Sequence, residues 1–209
     1  MSDKKITDYN HPFDAIKEFE EKLAEYCGSS YAVATDCCTH AIELCLRLNH
    51  PKGPVILPKH TYISIPMTMH KLGLELYWDK DYIWEYEYRI APTNIWDSAR
   101  AFDENMYVSG RMQCLSFGWD KRLAIGHGGA ILLDSRSDYF QLKRMAYDGR
   151  TLDTSPWENQ TYWRLGFHYN MRLEDAAKGI DMLSHPEEMP NLQSQLKTYP
   201  DCSKIQIDT

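Results

Sequence analysis

The feature that most constrains this chain is the steady exchange of short apolar strands for amphipathic helices. Residues 13–26 carry Phe13, Ile16, Phe19, Leu23 and Tyr26 at helical spacing, with charge on the opposite face, and Gly28 is placed to stop that helix. Residues 31–34 read as a strand, a polar turn spans 35–39, and helical spacing resumes over 40–48. A strand at 54–58, a helix at 62–72 and a strand at 74–78 follow. Strands are expected at 93–97, 113–117 and 129–133, and helices at 137–147 and 173–183. The stretch 79–93 is short, aromatic and charged, and no period assigns it. This order predicts an α/β domain over 1–185, a mostly parallel sheet with flanking helices, and a polar tail over 186–209. In such sheets the ligand lies beyond the carboxyl ends of the strands.

The chain has 209 residues, 43% of them hydrophobic, enough to bury an ordinary core. Its net charge is -7 and its Lys and Arg are not clustered, which argues against a nucleic-acid surface. No apolar run approaches the ~20 residues of a membrane span. The first residues lack the apolar stretch of a signal peptide, so the expectation is a cytoplasmic protein away from membranes. Six cysteines stand at 27, 37, 38, 45, 114 and 202, without a CxxC pair or zinc-like His/Cys spacing. Reduced, buried thiols and no metal site are expected.

Three groups with chemical potential fall just past expected strand ends. The turn Thr35, Asp36, Cys37, Cys38, Thr39 leads from a strand into a helix, and free N–H groups at a helix start favour a phosphate. Thr39 is equally a plain N-cap. Asp97 is either another cap or a buried acid held against a cation. Lys121 follows Ser116 by five residues and is bordered by aromatics and glycines. It is a surface lysine, or one whose pKa is lowered by desolvation or a neighbouring cation, as a Schiff-base lysine needs. Arg122 is adjacent in sequence.

In this order the residues resemble those of the DegT/DnrJ/EryC1/StrS family, the sugar-nucleotide aminotransferases that depend on pyridoxal 5'-phosphate. The similarity runs from about Phe13 to about Leu183. It rests on the opening helix through Gly28, on Pro58, Thr61 and Tyr62, and on Asp97. It rests also on Ser116 and Phe117 with Lys121, Leu123, Gly126, Gly128 and Gly129, and on Gly166, Asn170 and Arg172 followed by Ala176 and Ala177. The resemblance implies the large domain of a fold type I transferase, with the C-terminal small domain reduced or absent. It implies that Lys121 carries the cofactor and shuttles a proton, and that Asp97 holds the pyridine nitrogen protonated. Tyr62 would stack on the ring. Cys38, Thr39 and Ser116 would bind the phosphate, Arg100 would lie near the ring oxygen, and Asn170 would reach the phosphate in a neighbouring subunit. The implied partners are a nucleotide-sugar substrate, an amino-acid donor such as glutamate, and a second copy of the chain in a homodimer with shared active sites.

The pattern departs from the family at several points. Cys37, Cys38 and Thr39 stand for the usual Ser-Gly-Thr, so the Cys38 Cβ is expected to crowd the phosphate or change the turn. Arg100 replaces a Gln or His, His127 stands where an acid is common, and the segment between Trp78 and Asp97 is compressed. These departures motivate an alternative, a catalytically weak pyridoxal-phosphate-binding dimer with a regulatory or assembly role. The aromatic group Tyr77, Trp78, Tyr82, Trp84, Tyr86 and Tyr88 is read as core or interface, with a sugar site as the alternative. Trp119, beside Lys121, has the better claim to the pocket.

Overall fold

The computed structural model describes residues 9, 11, 13–151, 156–161, 163–190 and 199–206. Helix α1 (Asp14–Cys27) ends where Gly28 takes a left-handed φ of 79° and its N–H bonds back to Ala24. Then come β1 (Tyr31–Thr35), α2 (Cys38–Asn49), β2 (Val55–Pro58), α3 (Ser64–Lys71) and β3 (Leu76–Asp79). The second half holds β4 (Tyr88–Arg89), β5 (Ile95–Asp97), β6 (Met112–Ser116), β7 (Gly129–Leu133), α4 (Arg136–Ala146) and α5 (Leu173–Ser184).

Five strands pair in the order β1-β7-β6-β5-β4, and β2 pairs with β3. Ile56 and Ala91 exchange backbone bonds of 2.8 and 3.2 Å, which join the two sets along one edge. The expected α/β arrangement is present, but the sheet is mixed rather than mostly parallel. β5–β6 and β2–β3 are parallel, whereas β1–β7, β6–β7 and β4–β5 are antiparallel. The reason lies in the connections. A parallel neighbour needs a crossover, usually a helix. The links from β4 to β5 and from β6 to β7 contain no helix, so in each pair the second strand turns back against the first.

The sheet is buried on both faces, as alternate side chains show. Val33, Cys114, Ile131 and Leu133 point to one face, where α2, α3 and α4 pack through Ile42, Leu46, Met69 and Leu142. Ala32, Ala34, Leu115 and Leu132 point to the other, under Phe19 and Leu23 of α1 and Ala176 and Ile180 of α5. The carboxyl ends of β1, β5 and β6 are thereby fixed between two helical layers. Residues 199–206 of the tail return to lie along 59–61: Cys202 N–H donates to the Lys59 carbonyl at 2.8 Å, and His60 pairs with Asp201. Among the described residues no helix is long and apolar enough to cross a membrane.

Candidate active site

β5 delivers Asp97 at its carboxyl end, 6% exposed. Burial raises the Asp97 pKa, because the charged form loses solvation, while the Ala99 N–H, the Tyr88 hydroxyl and the Lys121 ammonium oppose the rise. Ala99 N–H donates to Oδ1 at 3.1 Å and the Tyr88 hydroxyl to Oδ2 at 2.9 Å. Tyr88 is fully buried, and its single hydrogen is spent on Asp97. The Thr61 hydroxyl must therefore donate to Tyr88, at 2.5 Å. Thr61, Tyr88 and Asp97 form a directed chain that keeps the acid in place. A carboxylate offers about four lone-pair sites, so the two bonds leave capacity for a further N–H.

Lys121 sits in the link between β6 and β7, which is tied down by its own backbone. Phe117 N–H donates to Gly128 O at 3.0 Å, Gly126 N–H to Phe117 O at 2.9 Å and Lys121 N–H to Gly118 O at 3.0 Å. The Lys121 side chain is 14% exposed. Its pKa is lowered, chiefly by burial and further by the Arg100 cation, against the pull of Asp120, Cys38 and Asp97. The neighbouring cation is therefore Arg100 and not Arg122, whose guanidinium bonds Asp103 at 2.8 Å. A Cβ placed on Gly118 would lie 3.9 Å from both Ser116 Oγ and Lys121 Cγ, so hydroxyl and lysine stem border one small space.

At the other end, α2 begins at Cys38 after an extended Cys37. The Cys38 thiol turns into the core and donates to the Cys114 carbonyl on β6 at 3.5 Å, away from the turn's N–H groups. Closeness is supplied from across the sheet, because a Cβ on Gly129 would collide with the Cys37–Cys38 peptide. Thr39 Oγ1 and Ser64 Oγ lie 2.7 Å apart, a bond that leaves the threonine further hydrogen-bonding capacity. Asp36 N–H donates to Tyr169 O at 2.9 Å and so sets residues 169–170 beside the turn. The Asn170 Oδ1 is buried without a partner in the chain.

Tyr62 is 56% exposed and meets the ring of Tyr199 edge-on at 6.2 Å. Trp119 is 80% exposed, and His127 is an exposed loop residue. Asp36, Cys37 and His40 bring ligand-type atoms within 4.8 Å of one another, a grouping that sequence spacing does not reveal. His40 Nδ1 bonds Asp36 Oδ1 at 2.7 Å; that bond, with a second to Cys37, raises the His40 pKa to about 9.

The structure thus brings Cys38, Asp97 and Arg100 near enough to Lys121 to act on its charge. Ser116 lies by the lysine, and Thr39 and Asn170 by the turn. Sequence reasoning missed Tyr88 and Thr61, which hold Asp97, and Tyr199, which hydrogen-bonds Arg100. The position of Tyr88 opposite Asp97 on a neighbouring strand was the one recoverable signal, and it needed β4 to be recognised.

A strand-end acid, a desolvated lysine between two further strands and a strand-to-helix turn are thus brought to one end of an α/β sheet. The profile of the DegT/DnrJ/EryC1/StrS aminotransferase family matches residues 6–79 and 96–200, and the chain belongs to that family. No curated protein sequence matches it. Among solved structures it is similar to AtS13 from Actinomadura melliaura, with 19% identity and a TM-score of 0.68 over 83% of this chain and 60% of that one. It is also similar to the PMP-form of a putative sugar aminotransferase, Spr1654, from Streptococcus pneumoniae, with 16% identity and a TM-score of 0.67 over 83% and 59%. A third is 3-amino-5-hydroxybenzoic acid synthase, with 21% identity and a TM-score of 0.65 over 84% and 56%. The chain therefore spans about three-fifths of the length of these proteins.

Proposed function

We infer that this chain binds pyridoxal 5'-phosphate and serves as an aminotransferase of a keto-sugar nucleotide, with glutamate as amino donor. The observation that carries the reading is the buried Asp97 at the end of β5 beside the desolvated Lys121 in the link after β6, each acting on the other's charge. The residues fit the group. Asp97 has unused acceptor capacity for a ring N–H, and Lys121 is desolvated. The Asn170 Oδ1 is buried with no partner among the described residues, and the amide turned over would offer an NH₂ there to a phosphate oxygen. The family resemblance has Asn170 reaching the phosphate in a neighbouring subunit, so the reading includes a homodimer with shared sites.

When bound, pyridoxal phosphate supplies an electron-withdrawing ring and a carbon that accepts the transferred nitrogen. The chain's own groups do the remaining work. Lys121 Nζ carries the cofactor and moves a proton to and from the substrate carbon, helped by a pKa set below that of a free lysine. Asp97 holds a proton on the ring nitrogen, and Tyr88 and Thr61 hold Asp97. The N–H groups at the start of α2, with Thr39 and Ser116, bind the phosphate. Tyr62 covers the ring face, and Arg100 orients toward the ring oxygen.

A second reading is a binder without turnover. Its grounds are the missing small domain and the Cys38 and Arg100 departures; the Cys38 thiol is turned into the core, so the short chain and Arg100 weigh most. Purified protein titrated with pyridoxal phosphate, reduced with borohydride and mapped by peptide mass spectrometry should carry the label on Lys121. Label elsewhere, or none, refutes the assignment. Glutamate should then convert the yellow protein spectrally; a bound cofactor that glutamate leaves unchanged favours the second reading. A panel of keto-sugar nucleotides identifies the acceptor.

A further inference from the structure

The tail segment Tyr199–Lys204 is bonded to the site from two directions. Its backbone is fixed first: besides the Cys202 N–H bond to Lys59, His60 Nδ1 donates to the Tyr199 carbonyl at 2.8 Å. The Cys202 thiol is 4% exposed and donates to the Thr61 carbonyl at 3.2 Å. Thr61 is the residue whose hydroxyl leads through Tyr88 to Asp97. Next comes the Tyr199 ring. It stacks on Trp84 at 5.8 Å and 20°, and Trp84 Nε1 donates to His60 O at 2.7 Å, closing a small ring of contacts. On its far side it meets Tyr62, and its hydroxyl bonds Arg100.

We propose that Tyr199–Lys204 is a strap that walls the cofactor pocket, and that Tyr199 is a positioning residue holding Arg100 beside Lys121. The proposal rests on the pyridoxal-phosphate reading. It goes further by assigning the tail two roles. One arm of the strap steadies the support of Asp97, and the other fixes the cation that acts on the lysine. The groups facing Lys121 are Asp120, Arg100, Cys38 and Asp97. Of these, only Arg100 is a cation, so freeing it raises the Lys121 pKa and the neutral amine appears at higher pH.

Two measurements on the full chain test this. The first is alkylation of Cys202 by iodoacetamide, followed by peptide mass spectrometry, with Cys27 under α1 as the monitor of global unfolding. If the cofactor binds only the strapped form, a ligand concentration of ten times Kd slows Cys202 labelling about tenfold. Cys202 labelling that slows no more than Cys27 labelling, or that quickens, overturns the strap. The second is Tyr199→Phe, which keeps the ring on Trp84 and removes the hydroxyl. The pH midpoint for borohydride capture of pyridoxal phosphate on Lys121 should move upward in the variant; an unmoved midpoint overturns the positioning role. A wild-type chain that takes up no pyridoxal phosphate on Lys121 sinks both readings. One that takes it up without protecting Cys202 sinks the strap alone.

Discussion

Asp97 and Thr39 stand at opposite ends of the candidate site and are held in opposite ways. Asp97 is buried on a strand, with two donors and a second hydroxyl behind them. Thr39 is half-buried on the first turn of a helix, with one hydroxyl partner and, nearby, the partnerless Asn170 oxygen. The difference follows from where charge comes from. At the strand end the chain supplies a buried acid and must keep it oriented while its own burial opposes ionisation. At the turn end the charge arrives with the ligand, and unfilled N–H groups are an asset. A buried acid demands preorganisation; an anion cradle works by being left incomplete.

Replacing Lys121 by Ala tests the strand end hardest: covalent uptake of pyridoxal phosphate should vanish and turnover fall on the order of 10²–10⁴-fold, read by borohydride trapping and product assay. Next is Tyr88→Phe, which orphans the Thr61 hydroxyl and strips a donor from Asp97. Urea unfolding should show a loss of about 1–3 kcal/mol. The Tyr88 bond helps hold the Asp97 pKa down. Without it the pKa rises further, so the acid limb of cofactor binding should move to higher pH.

At the turn end the effects are smaller. The folded His40 pKa of about 9 lies above the ordinary histidine value. The Asp36–His40 pair therefore stabilises fully below that ordinary value and fades as pH rises through about 9. With side chains about a quarter exposed, the contribution is on the order of 1 kcal/mol; thermal melts of His40→Asn against pH should converge with wild type at the alkaline end. Smallest of all, Cys38→Ala should change pyridoxal-phosphate affinity by less than about twofold, because the lost thiol bond is a weak one that faces the core. A larger affinity loss for Cys38→Ala than for Tyr88→Phe would reverse the comparison.

The helices and most strands were legible because burial on one face leaves a period in the sequence. β7 spans the expected residues, and the residues at the carboxyl ends of β1 and β5 were picked out by position alone. The segment 79–93 had no period because β4 is two residues long and its side chains split between a buried Tyr88 and an exposed Arg89. The antiparallel pairings went unseen because strand direction depends on the connections, which periodicity does not encode. Tyr88, Thr61 and Tyr199 were invisible for a related reason. An aromatic or hydroxyl residue looks the same whether it fills a core or steadies an acid, and the Tyr199 contacts to Tyr62, Trp84 and Arg100 join parts of the chain far apart in sequence. The family pattern found the groups expected to touch the ligand but not those that hold them.

β1 joins its sheet through β7 alone. On a ribosome, β1 can pack early against α1, where the Ala34 N–H donates to Glu20, but its strand partner is missing until Gly129–Leu133 has been made. The lysine sits inside the very link whose completion seats that strand. Turn and lysine are thereby brought to one end of the sheet by a single late pairing rather than one after the other.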